Sequence, residues 1–142
     1  MVHDERKAWR LLDANANRAR EGLRVIEDTA RFILERPDAA SAFRALRHRV
    51  DALVRRHYKT LLTARDVEGD SGRANPAKPY PGGPGALLAA NFKRCAEALR
   101  VLEEYGRLLA PGAVKKAQAL RFEVYQWEVK LLSNVSATRA ST

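Results

Sequence analysis

Cysteine is nearly missing from this 142-residue chain. Cys95 stands alone, so no internal disulfide can form, and a lone thiol fits a reducing compartment. No apolar run approaches the roughly 18 residues that a membrane-spanning helix needs. The opening Met1-Val2-His3-Asp4-Glu5-Arg6-Lys7 is charged and has no apolar core, which argues against a secretory signal and makes the cytoplasm the expected location. No paired cysteines or histidines have zinc-site spacing, and His48 and His57, nine residues apart, do not share a helix face. The glycine-rich Tyr80-Pro81-Gly82-Gly83-Pro84-Gly85 has neither a preceding strand nor the Lys-Ser/Thr ending of a P-loop, and reads as a linker running into a helix. Aromatics are only 7%, and Trp9, Tyr58, Tyr125 and Trp127 read as core or interface residues rather than base-stacking platforms.

What is abundant is positive charge. Lys and Arg number 26 against 17 Asp and Glu, a net charge of +9 and a pI near 10.2, which calls for an anionic partner such as a nucleotide, a phosphorylated metabolite or nucleic acid. At 46% hydrophobic, the chain suffices for one globular core.

The chain also repeats itself. Residues 14–33, ANANRAREGLRVIEDTARFI, align with 90–109, ANFKRCAEALRVLEEYGRLL. The matches are Ala14/Ala90, Asn15/Asn91, Arg18/Arg94, Glu21/Glu97, Leu23/Leu99, Arg24/Arg100, Val25/Val101, Glu27/Glu103 and Arg31/Arg107. Pro37 and Pro111 follow, and then Ala45-Leu46-Arg47 with Val50 matches Ala119-Leu120-Arg121 with Val124. Each copy reads as a long helix, a proline-marked break and a second helix: near 6–35 and 38–63, then near 85–109 and 112–133. Leu12, Ala16, Ala19, Leu23, Ile26, Ala30 and Ile33 recur at steps of three and four, the apolar stripe of an amphipathic helix. The expected fold is all-α: one domain of two tandem helical hairpins, related by a pseudo-two-fold axis into a four-helix domain. Repeat one spans about 6–63, a long non-helical connector 64–84, repeat two about 85–133, and a frayed tail 134–142.

On a helical wheel Asn15, Arg18, Gly22 and Val25 border the apolar stripe, Glu21, Arg24 and Asp28 lie opposite it, and Glu27 and Arg31 are spaced to pair. Exposed Glu and Arg usually form only a solvated face. Here they persist in both copies while Gly22/Ala98, Thr29/Tyr105 and Ala16/Phe92 have diverged, which points to a task beyond solubility, either ion pairs at the seam or a site. Forked guanidinium groups suit phosphate oxygens, and carboxylates suit Mg²⁺. Asn91 and Lys93 are placed in the first turns of a helix, where free N–H groups attract anions.

The motifs Asp13-Ala14-Asn15 with Asn17-Arg18-Ala19-Arg20-Glu21-Gly22-Leu23-Arg24-Val25, Ala64-Arg65-Asp66 with Gly69-Asp70, and Ala90-Asn91-Phe92-Lys93-Arg94 with Glu97-Ala98-Leu99-Arg100 resemble a known family. It comprises the small all-helical hydroxymethylpyrimidine phosphate kinases of thiamine biosynthesis, which occur alone or fused to thiamine-phosphate synthase. The similarity runs from about residue 8 to 132. The resemblance implies ATP as phosphoryl donor, 4-amino-5-hydroxymethyl-2-methylpyrimidine phosphate as acceptor, Mg²⁺, and functional coupling to thiamine-phosphate synthase. It leaves room for a homo-oligomer and names no membrane partner.

The expected site lies where the two copies meet, with the connector closing over it. Asn15, Arg18, Asn91, Lys93 and Arg94 are the expected phosphate ligands, Glu21, Glu97, Asp66 and Asp70 the metal ligands, and Arg65 and Arg100 the groups that stabilise the transferring phosphoryl. Two readings compete. A basic nucleic-acid-binding domain would use the face carrying Arg44, Arg47, Arg49, Arg55, Arg56 and Lys59. A non-catalytic scaffold would hold the repeated polar residues in ion pairs.

Overall fold

The fold is given by a computed structural model, which describes residues 3–79 and 82–140. It is all-α, without strands among the described residues. Helix α1 (His3–Asp28) runs into a wide π-helical turn, Thr29–Ile33. Then come α2 (Pro37–Val54), a 3-10 turn (Arg55–His57) and α3 (Tyr58–Ala64). The connector carries a short 3-10 turn, Ser71–Ala74, before α4 (Gly83–Leu109) and α5 (Pro111–Ala140).

The repeat is realised as α1 with α2 and α4 with α5. Helix α1 packs on both α2 and α4, and α5 packs on both α4 and α2, closing a four-sided bundle. The Cys95 thiol donates to the Ala19 carbonyl at 3.7 Å, while a Cβ on Gly22 would meet Cys95 Sγ at 2.6 Å and the Asn91 carbonyl at 3.6 Å. As α1 advances α4 therefore recedes, and the two helices cross antiparallel about the pseudo-two-fold axis. Gly22 is needed there because a side chain would drive the helices apart.

The stripe read from the sequence is the core: Leu12, Ala16, Ala19, Leu23 and Ile26 are buried in α1, Ala30 in the π-helical turn, and Leu88, Phe92, Cys95, Leu99 and Leu102 in α4. Phe43 joins the copies, with its ring centroid 5.6 Å from those of both Phe92 and Trp127. Ile33 departs from the stripe. It is 60% exposed, because the π-helical turn rotates it off the buried face.

Two boundaries differ from expectation. The helix expected over 38–63 breaks at Arg55–His57, which swings α3 onto the first half of α1 and buries Leu61 and Ala64, with the His57 ring tilted against that of Trp9 at 4.9 Å. The equivalent helix α5 has no such break. It also continues to Ala140 where a frayed tail was expected, since residues 134–140 contain neither proline nor glycine to stop it. Ser141 and Thr142 lie outside the described residues, as do Tyr80 and Pro81 of the glycine-rich linker.

Copy one has two extra residues before its proline. They fit into a left-handed turn: Glu35 takes φ 52°, Leu34 N–H donates to the Thr29 carbonyl (3.0 Å) and Arg36 N–H to that of Ala30 (2.8 Å).

Candidate active site at the pseudo-two-fold axis

Two kinds of repeated polar residue separate in the structure. The first kind locks each copy internally. Arg121 Nε and Nη2 donate to Glu103 at 2.5 and 3.2 Å, and Arg47 Nε donates to Glu27 at 3.2 Å. Both glutamates are buried. Each ties the first helix of its copy to the second, so Glu27 pairs with Arg47 rather than with the expected Arg31. This part of the repeat is structural, as the scaffold reading required.

The second kind surrounds a cavity of about 580 Å³ between α1 and α4, within the size range of small-ligand sites. Its lining obeys the repeat pair by pair: Asn15 with Asn91, Arg18 with Arg94, Glu21 with Glu97, Gly22 with Ala98, and Val25 with Val101. Gly22 and Ala98 are buried, and the four charged side chains are exposed. Because the helices cross antiparallel, the order Arg18-then-Glu21 on one runs against Arg94-then-Glu97 on the other, so the charges alternate around the opening. Among the described residues Arg18, Glu21 and Glu97 have no ion-pair partner within 4.0 Å, which leaves them available to a ligand. Asn15 and Asn91 are buried and held identically, each Nδ2 donating 2.9 Å to the carbonyl four residues earlier, Leu11 and Leu87. These bonds fix the side-chain rotamers. Helix α4 begins at Gly83, so Asn91 and Lys93, expected in its first turns, lie more than two turns inside, beyond the free N–H groups of its N-terminus.

Two grooves flank the cavity. Toward copy one, a space of about 590 Å³ between α1 and α2 is lined by Asn17, Arg20, Glu21, Arg24, Arg47, His48, Asp51 and Arg55. Toward copy two, a space of about 560 Å³ between α4 and α5 is lined by Phe92, Lys93, Ala96, Glu97, Arg100, Val101, Arg121, Tyr125 and Glu128. Glu21 belongs to both the cavity and the first groove, and Glu97 and Val101 to both the cavity and the second, so the three spaces adjoin.

Of the expected site residues, Asn15, Arg18, Glu21, Asn91, Arg94 and Glu97 come together in the cavity, and Lys93 and Arg100 sit beside it in the copy-two groove. Arg100 also pairs with Glu104 at 3.0 Å. The connector residues do not join them. Both Nε and Nη2 of Arg65 donate to buried Asp13 at 2.8 Å, which raises the arginine's already high pKa. Asp66 accepts from Gly69 N–H (2.8 Å) and Asp70 from Gly72 N–H (2.9 Å), so both carboxylates cap turns of the connector itself. No residue of 65–79 lines the cavity, and the expected closure of the connector over the site is not seen among the described residues. No group of three or more His, Cys, Asp or Glu side chains suited to a metal occurs among the described residues either.

Sequence reading missed Arg20, His48, Asp51 and Arg55 as groove residues, and placed Tyr125 in the core or an interface although it is 41% exposed beside a groove. Half of the basic face proposed for nucleic acid is engaged in ion pairs: Arg47 with Glu27, Arg49 with Glu123 (2.6 Å) and Arg55 with Asp51 (3.3 Å).

Comparison with known proteins places the sequence in a family. Residues 10–130 match the ThiD2 family. The chain is 42% identical over 132 residues to the thiamine-phosphate synthase of Synechococcus sp. (strain CC9605), covering 92% of this chain and 37% of that protein. It is 42% identical over 128 residues to that of Nostoc sp. (strain PCC 7120), and 43% identical over 127 residues to that of Synechocystis sp. (strain PCC 6803), covering 89% and 88% of this chain and 36% of each relative. The chain thus spans little more than a third of the length of these curated relatives. No solved structure matches it. With the family match covering both copies and the connector between them, the chain belongs to the ThiD2 family.

Proposed function

We propose that the chain is a kinase that transfers the γ-phosphoryl group of ATP to 4-amino-5-hydroxymethyl-2-methylpyrimidine phosphate, giving the diphosphate used in thiamine phosphate synthesis. The observation that carries this reading is the cavity at the two-fold axis, where two arginines and two glutamates from equivalent places in the repeat meet.

The chemistry joins one phosphate to another. A phosphate monoester has a second pKa of about 6, so at neutral pH its oxygen is already a nucleophile and no general base is needed. That oxygen forms the new bond to the γ-phosphorus, the bond from the γ-phosphorus to the β–γ bridging oxygen breaks, and ADP leaves with the electron pair. No proton has to move. The difficulty is repulsion between two polyanions, and the work of the protein is to neutralise and align them. Arg18 and Arg94 supply donors from opposite sides, and the pinned Asn15 and Asn91 fix the inner wall.

Mg²⁺ usually takes one or two protein carboxylates and completes its shell with phosphate oxygens and water. Glu21 and Glu97 fit that requirement, whereas Asp66 and Asp70 are committed to turns. Bound there, the ion would supply charge neutralisation for the phosphates.

The relatives support the pathway assignment, since a thiamine-phosphate synthase would consume the diphosphate. No helix among the described residues is long and apolar enough to cross a membrane, which is compatible with work in the cytoplasm on soluble substrates. The test is to supply the purified chain with Mg-ATP and either the pyrimidine monophosphate or the free pyrimidine alcohol. Diphosphate and ADP should form in equal amounts from the monophosphate, with little reaction of the alcohol. Absence of diphosphate from the monophosphate would overturn the reading.

A further inference from the structure

We infer that the two flanking grooves divide the substrates between them: the nucleotide occupies the α1/α2 groove of copy one, and the pyrimidine ring occupies the α4/α5 groove of copy two. This rests on the kinase reading and extends it. A reaction between two phosphates has a simple outline, with phosphates in the middle and a heterocycle at each end. The protein has the same outline, a charged cavity on the pseudo-two-fold axis and a groove on either side sharing residues with it.

The repeat gives each of four copy-one groove residues a counterpart in copy two. Arg20, His48, Asp51 and Arg55 in copy one correspond to Ala96, Phe122, Tyr125 and Val129 in copy two. Of these, Ala96 and Tyr125 line the copy-two groove, and Phe122 and Val129 are exposed on α5. At these positions copy one therefore keeps cationic and hydrogen-bonding side chains where copy two has small, aromatic or aliphatic ones, while Arg24/Arg100, Arg47/Arg121 and Glu21/Glu97 are alike in both grooves. Phe122, Tyr125 and Val129 are 51%, 41% and 67% exposed, with the first two rings 6.3 Å apart and the Arg121 guanidinium over both, at 5.1 and 5.8 Å. Large apolar side chains grouped on a surface mark a contact to be made. A methylated pyrimidine offers a flat, partly apolar face suited to Tyr125, with only one phosphate to direct into the central cavity.

ATP carries three phosphates and a ribose with two hydroxyls, which is more charge and more polar surface than the cavity alone can meet. The copy-one groove adds Arg20, Arg24, Arg47, Arg55 and His48 to that cavity, with Arg55 shared with Asp51, against Lys93, Arg100 and Arg121 in the copy-two groove. Arg20 is held there by Asp51 at 2.8 Å and by Asn17, so its donors are positioned before a ligand arrives.

The experiment measures binding to the full chain by calorimetry, with β,γ-methylene-ATP plus Mg²⁺ and, separately, with the pyrimidine monophosphate. Tyr125→Ala should weaken the pyrimidine about tenfold and leave the nucleotide within about twofold, while Tyr125→Phe, which keeps the ring, should restore the affinity. The pair His48→Ala with Arg55→Ala should weaken the nucleotide about tenfold and leave the pyrimidine within about twofold. Circular dichroism checks that each variant folds. A reversed pattern, equal losses of both ligands, or a changed oligomeric state with unchanged affinities would overturn the assignment. If the wild-type chain makes diphosphate while the pattern is reversed, only the division of substrates falls. If it binds neither ligand and makes no diphosphate, the kinase reading falls with it.

Discussion

The two grooves beside the axis and the cavity upon it descend from the same repeat and have fared differently. On the axis every lining pair is identical except Gly22/Ala98, whereas in the grooves Arg20 and Asp51 of copy one correspond to Ala96 and Tyr125 of copy two. A symmetric centre with unlike arms is what a protein needs when the reacting groups are alike and the bodies attached to them are not. The glutamate clamps show a milder version of the same contrast. Both persist, yet Glu103–Arg121 is two-pronged with side chains 3% and 12% exposed, and Glu27–Arg47 is one-pronged at 9% and 23%.

The clamp comparison can be broken by Glu103→Ala. It strands Arg121 in a nearly dry site and should lower stability by about 3 kcal/mol or more. Glu27→Ala should lower it by only about 1–2 kcal/mol, because Arg47 is better hydrated. Urea unfolding of the two variants checks the ranking, and equal losses would remove the distinction between the copies.

Next in size is the cavity itself. Arg18→Ala and Arg94→Ala should each reduce turnover about 100-fold, on the order of 2.7 kcal/mol, with the helical signal intact. Near-wild-type rates in both would discard the site. A large loss in one alone would mean that the centre is not used symmetrically.

Much of this was legible beforehand, for reasons visible in particular residues. Leu23/Leu99, Arg18/Arg94 and Glu21/Glu97 stand at one spacing, and a repeat of that kind exposes both the fold and a shared site. Arg65, Asp66 and Asp70 misled because a cation and two acids on a loop look alike whether they serve a ligand or hold the loop. Only coordinates show Asp13 gripping Arg65 and backbone amides gripping the aspartates. Tyr125 carried no signal because nothing in a sequence tells which side of α5 meets water once its apolar stripe is broken.

Two smaller effects separate the copies at their helix junctions. Asp38, in the first turn of α2, is held down at about 2, first by the Arg36 guanidinium and then by the Ala39 backbone N–H. Copy two has Gly112 in the equivalent place. A depressed folded-state pKa adds stability that is complete above the unfolded value of 3.8 and disappears as pH falls toward 2. NMR titration should find the Asp38 midpoint near 2, moving upward in Arg36→Ala, and an unmoved midpoint would show that the pairing is not its cause.

The smallest change is Glu35→Gly. It relieves a left-handed conformation that costs a side chain about 1 kcal/mol, and the greater freedom of glycine in the unfolded chain offsets part of the gain. A net gain of about 0.5 kcal/mol in urea unfolding is expected; a net loss would show that the turn tolerates Glu35 without strain.

Cys95 lies where α1 and α4 cross, with Gly22 pressed against its sulfur, and burial pushes its thiol up to about 12. The thiol stays protonated at neutral pH, so an alkylating reagent finds almost nothing to attack while the crossing is closed. Labelling therefore proceeds through moments when the helices part, and the single sulfur becomes a built-in clock for breathing at the axis, slowed by whatever ligand staples the two halves together.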